Sequence, residues 1–248
     1  MEIIQDVKKG RWHSACAIRD FDKAKEALES KGYRIISLEE QAGLRVQEGA
    51  DSGVSQRGNW TKEGFVYVPS KGAFLTMDSP IMANAEQATN CHRSGKDFYL
   101  NNEQVEASLE DSIKVINTQI PTNRFADEAL TSFAFGENAK AYGEFLKENG
   151  INNIQFYLAD HQDKPFARQA WLCRVNSDDE SGLDGDLRYL NYDSSEVRGV
   201  RVSDEVAKPS AENSRVEAYT QKDIQKALES LKLAGLESQI LEALKKQK

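Results

Sequence analysis

Asn90-Cys91-His92-Arg93 sets four chemically capable side chains at consecutive positions. A Cys91 thiolate would be a nucleophile or a metal ligand, and a His92 imidazole a base or a ligand. The Arg93 guanidinium would clamp an anion. A nucleophilic Cys91 needs a neighbouring base or positive field. His92, Arg93 and Lys96 are at hand, His13 or His161 could arrive through the fold, and Asn84 or Asn90 could orient an imidazole. These residues define a small-enzyme reading, of hydrolase or transferase type, with Cys91, His92 and Arg93 as the catalytic candidates.

Metal chemistry is harder to build. His13-x-x-Cys16 together with Cys91-His92 supplies the donor set of a zinc site, but adjacent side chains on a regular element diverge. There is no CxxC and no HExxH. Phosphate motifs fail in the same stretch. Ser94-Gly95-Lys96 has the spelling of a Walker loop, but Asp97 stands where Ser or Thr is needed and Asn90 where Gly is needed. GxGxxG after a strand and GxSxG are both missing, and the acidic run Asp178–Asp186 lacks EF-hand spacing. No metal and no cofactor are expected.

Composition narrows the classes. The chain has 248 residues, 39% hydrophobic and 29% charged, with a net charge of −8. That length suits one large domain or two small ones with an adequate core. The acidic balance disfavours phosphate backbones. Arg188, Arg198 and Arg201, near Tyr189 and Tyr192, offer a weaker single-strand RNA reading. Three cysteines, a polar start and no long apolar run point to the cytoplasm, reduced thiols and no membrane.

Periodicity then supplies the elements that must position these groups. Helices are expected over Phe21–Lys31 behind Asp20 as N-cap and over Leu38–Val46. Others are expected from Asn102 with Val105, Leu109, Ile113 and Ile116 inward, over Arg124–Phe133, and over Glu137–Glu148. Residues 49–62 read as a loop, and 84–97 as a polar stretch in which Cys91 and His92 converge only in an irregular loop and point apart in a plain helix. Strands are expected at Tyr33–Ser37 and at 154–158. Gln169–Val175 is another, with Cys173 inward. A hairpin joins Phe65–Val68 to Ala73–Met77, and Leu187–Tyr192 is expected to pair with Val197–Val202. Leu28–Gly32 and Leu146–Gly150 echo each other, as an old duplication or as the ordinary helix-to-strand join.

The architecture expected is α+β: a mixed, largely antiparallel sheet packed with helices, plus a C-terminal helical hairpin. Residues 1–205 form the body, with a subdomain boundary offered near 117–122. Residues 206–248 form a polar linker and two amphipathic helices. Leu228 and Leu231 make one apolar stripe, and Leu236, Ile240 and Leu244 the next. Helices this short are marginal alone and must be covered. The leading expectation is therefore a cytoplasmic binding or adaptor protein that uses these residues toward a protein partner or a second copy.

Overall fold

Within residues 59–68 every second side chain enters a different core. Phe65 and Tyr67 join one buried cluster, while Trp60, Val66 and Val68 join another. A strand buried on both faces needs a layer on each side, and the sequence supplies amphipathic helices for both. The computed structural model describes residues 3–7, 12–160, 162–175, 181–187, 190–192 and 196–202.

The strands are β1 (Ile3–Val7), β2 (Trp12–Ile18), β3 (Arg34–Ile35), β4 (Asn59–Val68), β5 (Gly72–Thr76) and β6 (Phe98–Tyr99). They continue as β7 (Ser112–Lys114), β8 (Gln119–Pro121), β9 (Asn153–Tyr157), β10 (Phe166–Leu172), β11 (Gly182–Asp184) and β12 (Glu196–Val202). The helices are α1 (Phe21–Glu29), α2 (Leu38–Glu48), α3 (Gly53–Gln56), α4 (Pro80–Ala83), α5 (Ala85–Arg93), α6 (Asn102–Glu110), α7 (Ala129–Phe135) and α8 (Ala139–Glu148).

All twelve strands belong to one mixed sheet with the order β1-β2-β12-β4-β10-β11-β9-β8. β3 adds to β12, β5 to β4, β7 to β5 and β6 to β10. Most pairings are antiparallel; β9–β11 and the single contact of β12 with β4 are parallel. The hairpin is present, with Phe65 opposite Leu75 and Val68 opposite Gly72.

Leu38, Ala42, Leu130, Phe135, Tyr142 and Leu146, from α2, α7 and α8, cover one face together with Phe65 and Phe166. Phe21, Ala24 and Leu28 of α1, Ala88 of α5 and Val105 of α6 cover the other with Trp60 and Val66. Each such fully buried apolar side chain contributes about 1.5–3 kcal/mol. The central pair Trp60–Trp171 meets edge to face at 5.0 Å between centroids.

Several expectations require correction. Val197–Val202 does form a strand, but its main antiparallel partner is β2, from Glu196 opposite Ile18 to Val202 opposite Trp12. Distant chain segments thus pair, and among the described residues neither Leu187 nor 190–192 pairs with β12. Residues 49–62 are not one loop, because Asn59 already begins β4. The helix from Asn102 stops at Glu110; Ile113 moves into β7 and Ile116 is 80% exposed. Its cap is Asn101, in a capping box with Gln104. Cys173 lies just past β10 and is only half-buried.

The echo between Gly32 and Gly150 has a local cause. Tyr33 N donates to Leu28 O at 3.0 Å, and Ile151 N to Leu146 O at 2.9 Å. Lys96 N donates to Cys91 O at 2.9 Å in the same way. All three glycines have positive φ, at 77°, 84° and 69° for Gly32, Gly150 and Gly95. This is the helix-ending motif in which glycine takes the left-handed turn. Its third occurrence favours a capping rule over duplication.

Residues 203–248, with the stripe Leu228, Leu231, Leu236, Ile240 and Leu244, lie outside the described residues, as do His161, Arg188 and Tyr189.

Candidate functional site

The polar stretch takes the plain-helix alternative, as α5. Ala85, Glu86, Gln87 and Ala88 are good helix formers, Glu86 sits in the positive first turn, and Arg93 in the negative last turn. The apolar stripe went unread because it is spelled with Ala88, Thr89 and His92, all buried. Propensity and Gly95 as a stop signal were the readable clues.

A helix turns by about 100° per residue, so Cys91 and His92 leave it in different directions. His92 is 5% exposed and faces the core. Cys91 is half-buried and borders an open depression of about 490 Å³ with Glu86, Gln87, Asn90, Ser94 and Lys96. Arg93 is exposed. Its guanidinium takes the Asn90 side-chain oxygen on one side and the Asp20 carboxylate at 2.6 Å on the other. Asp20 precedes α1 as expected, but it caps through position alone; its side chain makes no capping bond and serves Arg93 instead.

A second open depression, of about 570 Å³, lies beyond Asp20 and is bordered by Arg19, Lys23, Glu26, Ala27 and Ser30. Arg93 thus stands between two open hollows on the α1–α5 face. Their volumes would suit small ligands, but both are wide open, whereas small-molecule sites usually enclose most of the ligand. The face can offer hydrogen bonds and charges of both signs to a partner. It does not bring a base to the Cys91 thiol from His92.

The other sequence candidates are scattered. His13 and Cys16 both lie on β2, three residues apart, and an odd spacing on a strand sends them to opposite faces. His13 stands opposite Arg201. Cys16 is buried beside Arg198, Glu196 and Asp6; burial first, and then the Glu196 charge, pushes its thiol up to about 11. Such a thiol is inert at neutral pH. No group of three or more His, Cys, Asp or Glu among the described residues could hold a metal ion.

Arg198 is 1% exposed and bonded to Asp6, Ser14 and Glu196, so it is closed to RNA. Arg201 lies over the Tyr33 ring at 4.9 Å. No helix among the described residues is long and apolar enough to cross a membrane.

Neither protein-family descriptions nor curated proteins give a match to this chain. A solved structure described as "Accommodation of massive sequence variation in Nanoarchaeota by the C-type lectin fold" is similar, with a TM-score of 0.57. The sequences are 16% identical, and the match covers 79% of this chain and 100% of the other. The likeness is one of fold. A frame of this kind hosts unrelated activities, so function has to be argued from the side chains.

Proposed function

We propose that the protein is a cytoplasmic binding or adaptor module and that its C-terminal amphipathic stripe engages a protein partner, with a second copy of the chain as the first candidate. The observation that carries this reading is the helical geometry of α5. It separates Cys91 from His92 and commits Arg93 to Asp20, which leaves the best catalytic spelling of the sequence without a catalytic arrangement. A sheet covered on both faces by helices is a rigid frame, suited to presenting surfaces and attached segments. The similar solved structure is described as accommodating massive sequence variation; a tolerant frame of that kind fits a recognition role here. Cys16, Cys91 and Cys173 are not in disulfides, which agrees with a reducing compartment.

The test is on the full chain. Leu231→Asp combined with Ile240→Asp places a charge in each apolar stripe while leaving the body unchanged. Sedimentation should show association of the parent chain, weakened at least about tenfold in the double variant, since each buried charge opposes burial by more than ~1.4 kcal/mol. Identical masses for both proteins across concentration would contradict the reading.

A second reading has one observation in its favour. Cys91 and Lys96 border the same depression, so a thiol assisted by an ammonium group is its surviving form.

A further inference from the structure

Glu63, in the middle of β4, is fully buried. One carboxyl oxygen accepts from Leu38 N at 3.0 Å, at the first turn of α2; the other meets no donor in good geometry, although the Thr61 hydroxyl and the Glu63 backbone N–H lie close to the carboxyl. Two glutamines on the flanking elements have the same shortage. Gln41 on α2 gives its amide nitrogen to Val54 O at 3.1 Å, and Gln169 on β10 gives its own to the carbonyls of Thr61 and Glu63. Both amide groups are thereby oriented, and both side-chain oxygens are left buried without a donor. Three buried acceptors on α2, β4 and β10, those of Gln41, Glu63 and Gln169, thus have no donor in good geometry. An ionised Glu63 would deepen that shortage, whereas a carboxylic acid brings the missing donor.

The charged groups around it make their ion pairs with other residues, although the Arg34 and Lys62 charges also reach Glu63. On β3, Arg34 pairs with Glu40 of α2 at 2.7 Å. On α2, Glu39 accepts from Glu137 N at 2.9 Å, and Arg45 donates to Tyr142 of α8 at 2.9 Å. Lys62 beside it turns to Asp78 at 3.4 Å, and Arg168 of β10 pairs with Asp97. No ion pair among the described residues reaches Glu63.

We propose that Glu63 is held as the neutral acid and that its proton makes the α2–β4 seam a pH-sensitive latch, closed when the proton is bound and loosened when it leaves. Burial raises the carboxyl from the ordinary 4.5 to about 8. Below 4.5 both the folded and the unfolded chain carry the proton. Between 4.5 and 8 only the folded chain does, so stability falls as pH rises through that window. Above 8 neither carries it, and the loss is complete.

Selective carboxyl labelling of glutamates and NMR titration of the full chain provide the test. One resonance, lost in Glu63→Gln, should titrate near pH 8. The melting temperature of the parent should fall relative to Glu63→Gln between pH 5 and 8, because glutamine keeps the bond to Leu38 N and supplies a permanent donor. Hydrogen exchange at Leu38 in the parent, corrected for intrinsic rate, gives a check that needs no variant: its protection should fall between pH 5 and 8 and level off above pH 8. A Glu63 resonance titrating near 4.5 would overturn the proposal, as would Leu38 protection unchanged from pH 6 to 9.

Discussion

Methionine in place of Arg198 is expected to destabilise the protein by about 3–5 kcal/mol. Arg198 is 1% exposed, and its guanidinium binds Asp6 Oδ2 at 2.5 Å, Ser14 Oγ at 2.7 Å and Glu196 Oε1 at 2.5 Å. Those partners sit on β1, β2 and β12, so one side chain ties together the strands that join the two ends of the body. Burial alone would lower its affinity for the proton, but Glu196 and Asp6 more than offset this and hold the cation charged. Removing it leaves Glu196, 4% exposed, with the half-exposed Arg57 at 3.5 Å as its remaining counter-charge. The cost is that of a buried charge stripped of its buried partner. Arg198→Met combined with Glu196→Leu should therefore lose less than the sum of the single variants in urea melts. Additive losses would mean that the pair is not coupled.

The second large effect is expected at Arg168. Its guanidinium is fully buried, lies 5.4 Å from the Phe166 ring centroid, and pairs with Asp97, which also receives the Gln162 amide. Asp97 is the residue that breaks the Walker spelling after Lys96; its position in the fold explains why it is there. Arg168→Met should cost about 3–5 kcal/mol. Asp97→Asn keeps a polar partner and should cost less, about 1.5–3 kcal/mol. Because Asp97 anchors the chain between α5 and β6, Arg168→Met should also speed hydrogen exchange across residues 94–99. Equal stability of the parent and Arg168→Met would remove the ion pair from this account.

These networks show what a linear reading reaches and what it misses. Phe21, Ala24 and Leu28 at helical spacing, closed by Gly32, placed α1 correctly because the information is local. The hairpin of β4 and β5 was likewise readable from Pro69-Ser-Lys-Gly72 between two apolar runs. The pairing of β2 with β12 was not: β2 buries Ala15 and Ala17, small residues that give a weak alternating signal, and its partner lies far along the chain. α5 gives only a weak helical signal because its inward stripe contains no large aliphatic residue. Arg198 was read as a surface arginine, since nothing in its neighbourhood reveals that Asp6 will meet it across two strands. At the candidate site, the sequence named Cys91, His92 and Arg93 as neighbours in spelling, whereas a helix makes His92 a core residue and Cys91 a half-buried one at the core's edge. Asp20, the partner that fixes Arg93, carried a capping signal that explained its presence without disclosing the ion pair.

The most direct test of the non-catalytic reading is alkylation of the native chain by iodoacetamide at pH 6, followed residue by residue by mass spectrometry. Cys91 should react no faster than a free-peptide thiol, at a rate unchanged by His92→Gln, and buried Cys16 should remain unlabelled. Rapid stoichiometric labelling of Cys91, slowed by His92→Gln or Lys96→Met, would show an activated thiolate and contradict the assignment of this chain as a binding module.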